Sequence, residues 1–199
     1  MRVLLISDEP SPYLWDHFKP ENVEGLELIL SAGDLKTEYL EFLSTMIPVP
    51  LVYVLGNHDK RLLKDPPGGC TLVDGLCVIE RGVKIAGLSG CMGANPAEPL
   101  QFTEAEMAKR LKKLEREVER AGGIDIFLTH APSLGRGDGD DPFHRGFDCF
   151  NDFLLRWQPR LHVFGHQHRR YNARQAPPGN VGRTMLVNAC GYRIISFLF

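Results

Sequence analysis

The sequence predicts an α/β fold in which sheets are covered by helices, and three features predict it. Four short apolar runs, "VLLIS" (3–7), "LELILSAGD" (26–34), "VPLVYVLGN" (49–57) and "IDIFLTH" (124–130), each close on a polar residue or on glycine plus a polar residue. Near-continuous Val, Ile and Leu of this length marks strands buried on both faces. Between the second and third runs, "KTEYLEFLSTM" (36–46) sets Tyr39, Phe42, Leu43 and Met46 at helical spacing, the pattern of an amphipathic crossover between parallel strands. Lastly, 199 residues with 43% hydrophobic content suffice for one core but leave no room for a second full domain, so residues 1–199 are expected to form one domain.

The later segments read in order. "TLVDGLCVIERGVKIAGLSG" (71–90) carries Asp-Gly and Arg-Gly turn signals between short β-rich runs, which predicts an antiparallel meander. "TEAEMAKRLKKLEREVERAGG" (103–123) opens with a capping box, Thr103 with Glu106, and ends at a glycine pair. Its apolar face is Met107, Leu111, Leu114 and Val118, and the opposite charges form a solvated face. "APSLGRGDGDDPFHRGFD" (131–148) has no periodicity and reads as a loop of a length that compact domains reserve for sites. Short strand-like runs return at 161–168, 184–192 and 193–199.

Bulk properties narrow the partners. A net charge of −2 and a pI near 6.4 provide no global basic field, so nucleic acid is not an expected partner. The five cysteines, Cys70, Cys77, Cys91, Cys149 and Cys190, form no Cys-x-x-Cys pair and read as reduced, mostly structural thiols. No basic-plus-apolar leader precedes the first strand, and no apolar run nears the ~20 residues of a membrane helix. A cytoplasmic protein with no membrane partner is therefore expected. The oligomeric state is not legible.

The apolar runs deliver a set of polar residues to their ends: Asp8, Asp34, Asn57 with His58 and Asp59, His130, His166 and His168. Gly33-Asp34 alone would be an ordinary turn. "GNHD" (56–59) and "GHQH" (165–168) carry more, because each crowds metal or proton chemistry into one turn. Carboxylate, amide and imidazole donors together suit borderline divalent cations, among them Mn, Fe, Co, Ni and Zn.

In this order and context, Asp8, Gly33-Asp34, Gly56-Asn57-His58-Asp59, Thr129-His130 and Gly165-His166-Gln167-His168 resemble the motifs of the calcineurin-like metallophosphoesterases. The resemblance implies a four-layer αββα sandwich, two mixed sheets flanked by helices, with two divalent metal ions at the strand ends, Mn first among the candidates. It implies that Asp34 bridges both ions, that Asp8 and His168 hold the first, and that Asn57, His130 and His166 complete the second. His58 would protonate the leaving oxygen or hold the phosphoryl group, with Asp59 orienting its imidazole. The implied reaction is hydrolysis of a small phosphodiester or phosphomonoester, such as a nucleotide, by metal-activated hydroxide.

One departure stands out. Where the family has Asp-x-His, this chain has Asp8-Glu9-Pro10, and proline offers no ligand. A water, another side chain or a high metal concentration would have to meet the loss. Glu9 and His17 are nearest in sequence, and strand alternation predicts that Glu9 points off the ligand face. The segment from His130 to Tyr171 is similar to the branch that includes small bacterial phosphoesterases and the animal metallophosphoesterase-domain proteins. Within it, His144 and Arg145 are candidates for binding substrate phosphate, with Asn57. The basic cluster Arg169, Arg170 and Arg174 around Tyr171 reads as surface, and His162 as structural. The missing histidine also keeps open an alternative: a catalytically weakened interaction or nucleotide-binding module.

Overall fold

The computed structural model describes residues 1–95, 97–168 and 179–198. In chain order its elements are β1 (Arg2–Ser7), β2 (Leu28–Ser31), α1 (Thr37–Met46), β3 (Leu51–Tyr53), β4 (Thr71–Leu72), β5 (Cys77–Glu80), β6 (Val83–Leu88), β7 (Cys91–Met92) and β8 (Gln101–Phe102). There follow α2 (Glu104–Arg120), β9 (Ile126–Thr129), α3 (Cys149–Trp157), β10 (Leu161–Phe164), β11 (Asn180–Val181), β12 (Thr184–Asn188) and β13 (Gly191–Ser196).

Two mixed sheets result. One has the order β13-β1-β2-β3-β4 and the other β11-β12-β10-β9-β6-β5, with β7 and β8 paired apart from both. In the first sheet β1 to β4 run parallel and β13 antiparallel. The second repeats the scheme, with β12, β10, β9 and β6 parallel and the two edge strands antiparallel. All parallel strands of one sheet therefore end on the same side, where their following turns gather.

Alternation along the strands builds the layers. On β1, Val3 and Leu5 face inward with Leu28, Leu30, Ile126, Leu128, Leu161 and Val163 to form the seam between the sheets. Their neighbours Leu4 and Ile6 face outward beneath Tyr39, Leu40 and Leu43 of α1. On the other sheet Phe127 faces outward against Met107, Leu114, Phe150, Phe153 and Leu154 of α2 and α3. The stack is thus helix, sheet, sheet, helix, the αββα sandwich that the motifs implied.

Two local expectations need correction. The segment 71–90 is not a meander: β4 joins the first sheet parallel to β3, and only β5 and β6 form an antiparallel hairpin in the second. The buried face of α1 is Tyr39, Leu40 and Leu43, while Met46 at the last turn is 44% exposed. Helix α3 follows directly on the 131–148 loop and buries Phe150, Phe153 and Leu154, spaced at helical intervals. Helix α2 starts at the Thr103–Glu106 capping box and buries all four predicted apolar residues.

Candidate metal centre

Each parallel strand near the sheet centres ends in a turn that presents a polar side chain. Asp8 follows β1, Asp34 lies three residues beyond β2, and His130 and His166 follow β9 and β10. The turns are tight. Asp8, Asp34 and His166 hold left-handed backbone angles, with φ of 62°, 57° and 65°. Such conformations in non-glycine residues cost on the order of 1–3 kcal/mol and persist only where the surroundings fix them. Here the fixing bonds are present: Asp8 N–H donates to the Gly33 carbonyl at 3.0 Å, and Asp34 N–H to the Asp59 carboxylate at 2.7 Å. His166 N–H donates to both Asp8 oxygens at 3.1 Å, which ties one sheet's turn to the other's.

Close approach needs glycine at two of these turns. A Cβ on Gly56 would overlap the Asp34 carboxylate and lie 2.7 Å from His130 Cε1. A Cβ on Gly165 would lie 2.7 Å from Ser7 Oγ and 2.8 Å from Asp8 Oδ2. The glycines of "GNHD" and "GHQH" are therefore required by packing at the site itself.

At the centre, hydrogen bonds set the imidazole tautomers. His130 Nδ1 meets the Ala32 carbonyl at 2.7 Å, and His166 Nε2 meets the Phe143 carbonyl at 2.7 Å. A carbonyl only accepts, so those nitrogens carry hydrogen. The opposite nitrogens then face one another: His130 Nε2 lies 3.1 Å from His166 Nδ1, 3.0 Å from Asn57 Oδ1 and 3.4 Å from Asp34 Oδ2. Donor atoms of Asp34, His130 and His166 all fall within 4.8 Å of one another. Such converging lone pairs require a positive centre among them, either a proton on His130 Nε2 or a metal cation. A divalent ion fits this donor set, and backbone carbonyls behind each imidazole are the outer support that metal-bound histidines use.

The electrostatics agree. Burial by itself would lower the His130 pKa, but the Asp34 and Asp8 carboxylates raise it to about 9. Burial raises Asp34, and the His130 imidazole beside it outweighs this and holds it at about 2. His166 is pushed down to about 3 by burial and by neighbouring His130. Asp8 is raised, chiefly by burial.

A second donor group adjoins the first. His168 Nε2 lies 3.9 Å from Asp8 Oδ1, and its Nδ1 lies 3.7 Å from Glu9 Oε1. Glu9, His168 and Cys190 bring one ligand atom each within 4.8 Å of one another. Glu9 thus does not point away from the ligand face. The left-handed turn at Asp8 ends the pleat, so strand alternation no longer governs the next residue. His17, by contrast, is exposed and belongs to neither donor group.

The remaining candidates divide. Asp59 is buried, and its carboxylate accepts from the backbone N–H groups of Asp34 and Gly56; among the described residues the His58 imidazole is not one of its hydrogen-bond partners. Burial and the Asp34 charge raise its pKa to about 6. His58 is exposed, donates its backbone N–H to Asp34 Oδ1 at 2.8 Å, and lines a depression of about 570 Å³ together with Trp15, Asp34, Lys36 and Arg61. The His144 ring lies 5.1 Å from the His166 ring at a tilt of 35°, and its Nδ1 pairs with Asp141 at 2.8 Å. Arg145 is exposed and lines a different depression with Met92, Glu104 and Asp148. Arg169, Arg170, Tyr171 and Arg174 lie outside the described residues. His162 is fully buried between Phe127 and Phe164, away from the strand ends.

The calcineurin-like phosphoesterase profile matches residues 1–170. The chain belongs to the calcineurin-like phosphoesterase family. Metallophosphoesterase domain-containing protein 1 of Homo sapiens is 40% identical over 70 residues, and a UPF0046 protein of Caenorhabditis elegans is 36% identical over 70 residues. Each match covers 34% of this chain and only 20% and 16% of those relatives, so the shared stretch is a small part of their length. Among solved structures, TT1561 of Thermus thermophilus superposes with a TM-score of 0.66 at 17% identity, over 96% of this chain and 89% of its own. A further crystal structure gives a TM-score of 0.67 at 14% identity, over 98% of this chain and 94% of its own. These likenesses establish the calcineurin-like fold. Membership of the family implies metal-dependent phosphoester hydrolysis, and the chain carries candidate ligand groups for divalent metal.

Three features of the site are not legible in the sequence. Cys190 reads there as one of the structural thiols, although it follows an apolar run as the other ligand candidates do. The Ala32 and Phe143 carbonyls carry no side-chain signal at all. Lys36, Arg61 and Trp15 belong to no motif, and only the meeting of the turns sets them beside the site.

Proposed function

We propose that the protein is a metal-dependent phosphoesterase acting on a small phosphodiester or phosphomonoester. The observation that supports this most directly is the convergence of His130 Nε2, His166 Nδ1, Asn57 Oδ1 and Asp34 Oδ2, with both tautomers set from behind. In this reading Asp34 serves two divalent ions, Asp8 and His168 hold the first, and Asn57, His130 and His166 complete the second. When bound, the ions, Mn at the second position by its nitrogen and oxygen donors, would clamp the phosphoryl oxygens and acidify a shared water.

The chain's own groups do the rest. His58, at the rim beside Asp34, protonates the leaving oxygen. Asp59 fixes the backbone of Gly56 and Asp34 so that both turns keep their aim, which makes it a positioning residue. Lys36 and Arg61 on the walls of the adjoining depression neutralise substrate phosphate, and His144, against the His166 ring, is a further candidate for phosphate contact. Pro10, in place of a ligand, supports a second reading: a binding module with a weakened first site.

Elemental analysis of the purified protein, with hydrolysis of bis-p-nitrophenyl phosphate and p-nitrophenyl phosphate under added Mn, separates the two. Close to two ions per chain and metal-dependent turnover supports the enzyme. Failure to bind metal or turn over after reconstitution supports the module. Replacing His58→Ala is expected to lower turnover of the activated diester by about 10²-fold or more. Turnover near that of the unaltered protein removes His58 from the mechanism.

A further inference from the structure

We propose that Cys190, together with Glu9, takes the coordination position left by Pro10, so that the first metal site of this chain contains sulfur. The inference rests on the dinuclear reading above and concerns only how this chain completes it. Three observations carry it. Glu9, His168 and Cys190 place ligand atoms within 4.8 Å of one another, and His168 in turn lies 3.9 Å from Asp8 Oδ1. Cys190 is 5% exposed and sits beside β1, bridged to Ser7, where the chain crosses from β12 in one sheet to β13 in the other. The crossover is pinned there: Cys190 N–H donates to Asn188 Oδ1 at 2.9 Å, and the Asn188 amide donates to the Gln167 carbonyl at 2.8 Å, next to His168.

The chemistry follows from the donors. A thiol loses its proton to solvent when it binds a cation, and thiolate is a soft ligand. A site of carboxylate, imidazole and thiolate favours Zn, Co or Cd over Mn. The two positions of this centre would then differ in metal preference, the second being built from nitrogen and oxygen alone.

Titration of the metal-free protein with Co²⁺ tests the proposal by absorption. The expected result is a near-ultraviolet sulfur-to-cobalt band that grows with one of two bound ions and disappears in Cys190→Ser, while the visible cobalt bands remain. Loss of even an outer-shell partner costs about 10- to 100-fold in metal affinity. Cys190→Ser is accordingly expected to weaken Cd²⁺ binding at one position by about tenfold or more, with a smaller change for Mn²⁺. Glu9→Gln, at a half-exposed side chain, is expected to weaken the same position and keep the sulfur band. Adding Pro10→His to Cys190→Ser is expected to restore binding without the band.

Two bound ions with no sulfur band, or a band that survives in Cys190→Ser, overturns the proposal and leaves the dinuclear reading intact. Unchanged affinity at both positions in Glu9→Gln removes Glu9 from the site. Absence of cobalt binding to the unaltered protein overturns the dinuclear reading, and this inference with it. Should the serine variant not fold, the unaltered protein's spectrum decides, because among the described residues no other cysteine belongs to a donor group.

Discussion

His130 and His162 are two fully buried histidines with opposite fates. His130 is surrounded by carboxylates, which raise its pKa to about 9 when no metal is bound. His162 is ringed by Phe127, Phe150 and Phe164, and burial alone pushes it from 6.5 to about 3. Its Nε2 lies 2.9 Å from Thr129 Oγ1, which itself donates to the Ala131 carbonyl, so the His162 Nε2–H must donate; the buried Nδ1 meets no hydrogen-bond partner among the described residues, and the ring is neutral. The folded pKa lies below the unfolded one. Its contribution to stability is thus complete above about 6.5 and is lost as the pH falls toward 3, by up to about 1.4 kcal/mol per pH unit. His162→Phe is expected to flatten stability between pH 6.5 and 4 in denaturant titrations. An unchanged slope would show that His162 already accepts the proton in the folded state. At this scale the sequence marks the motif residues well, since glycine, carboxylate and imidazole at strand ends are recognisable by type. It fails at Glu9, because the left-handed angle of Asp8 is a property of the turn as folded.

Helices α2 and α3 differ in how their starts are satisfied. Thr103 Oγ1 accepts from Glu106 N–H, and the Glu106 carboxylate accepts from Thr103 N–H, so α2 carries its cap in four consecutive residues. Thr103→Ala is expected to cost about 1 kcal/mol, read as a lower denaturation midpoint with no change in metal stoichiometry. An unchanged midpoint would mean that tertiary packing alone holds the first turn. The start of α3 has no such local signal: Asp148 makes no side-chain cap, and the N–H groups of Asp148 and Cys149 donate to Glu104 from the first turn of α2. A cap supplied from 44 and 45 residues away cannot be read locally, which is why the start of α3, unlike its apolar spacing at Phe150, Phe153, Leu154 and Trp157, is hidden in the sequence. The strand β4 is hidden for a related reason. Two residues carry no periodicity, and their parallel partner, β3, lies across the long turn that contains His58 and Asp59.

At the scale of the molecule, the ligand candidates come from both sheets: Asp8, Asp34 and Asn57 from the first, His130, His166 and His168 from the second. Metal bound among them would therefore bridge the sandwich and resist its opening. Removal of metal with a chelator is expected to lower the thermal midpoint, since each site saturated at 100 times its dissociation constant adds about 2.7 kcal/mol to folding. A midpoint indifferent to chelation and to added Mn would argue against a centre built across both sheets. No helix among the described residues is long and apolar enough to cross a membrane.

By itself the sequence determined the classes of element and the chemistry available to them. Buried strand runs, an amphipathic crossover, a capping box and the glycine-flanked polar turns are local patterns, each set by neighbours in the chain. Tertiary structure alone decided which donors meet. The tautomers of His130 and His166 depend on the carbonyls of Ala32 and Phe143, 98 and 23 residues away in sequence. Cys190 reaches Glu9 and His168 only because the chain crosses between sheets at that residue. Coordination depends on lone pairs converging within a few ångströms, and that distance is set by the packing of the two sheets.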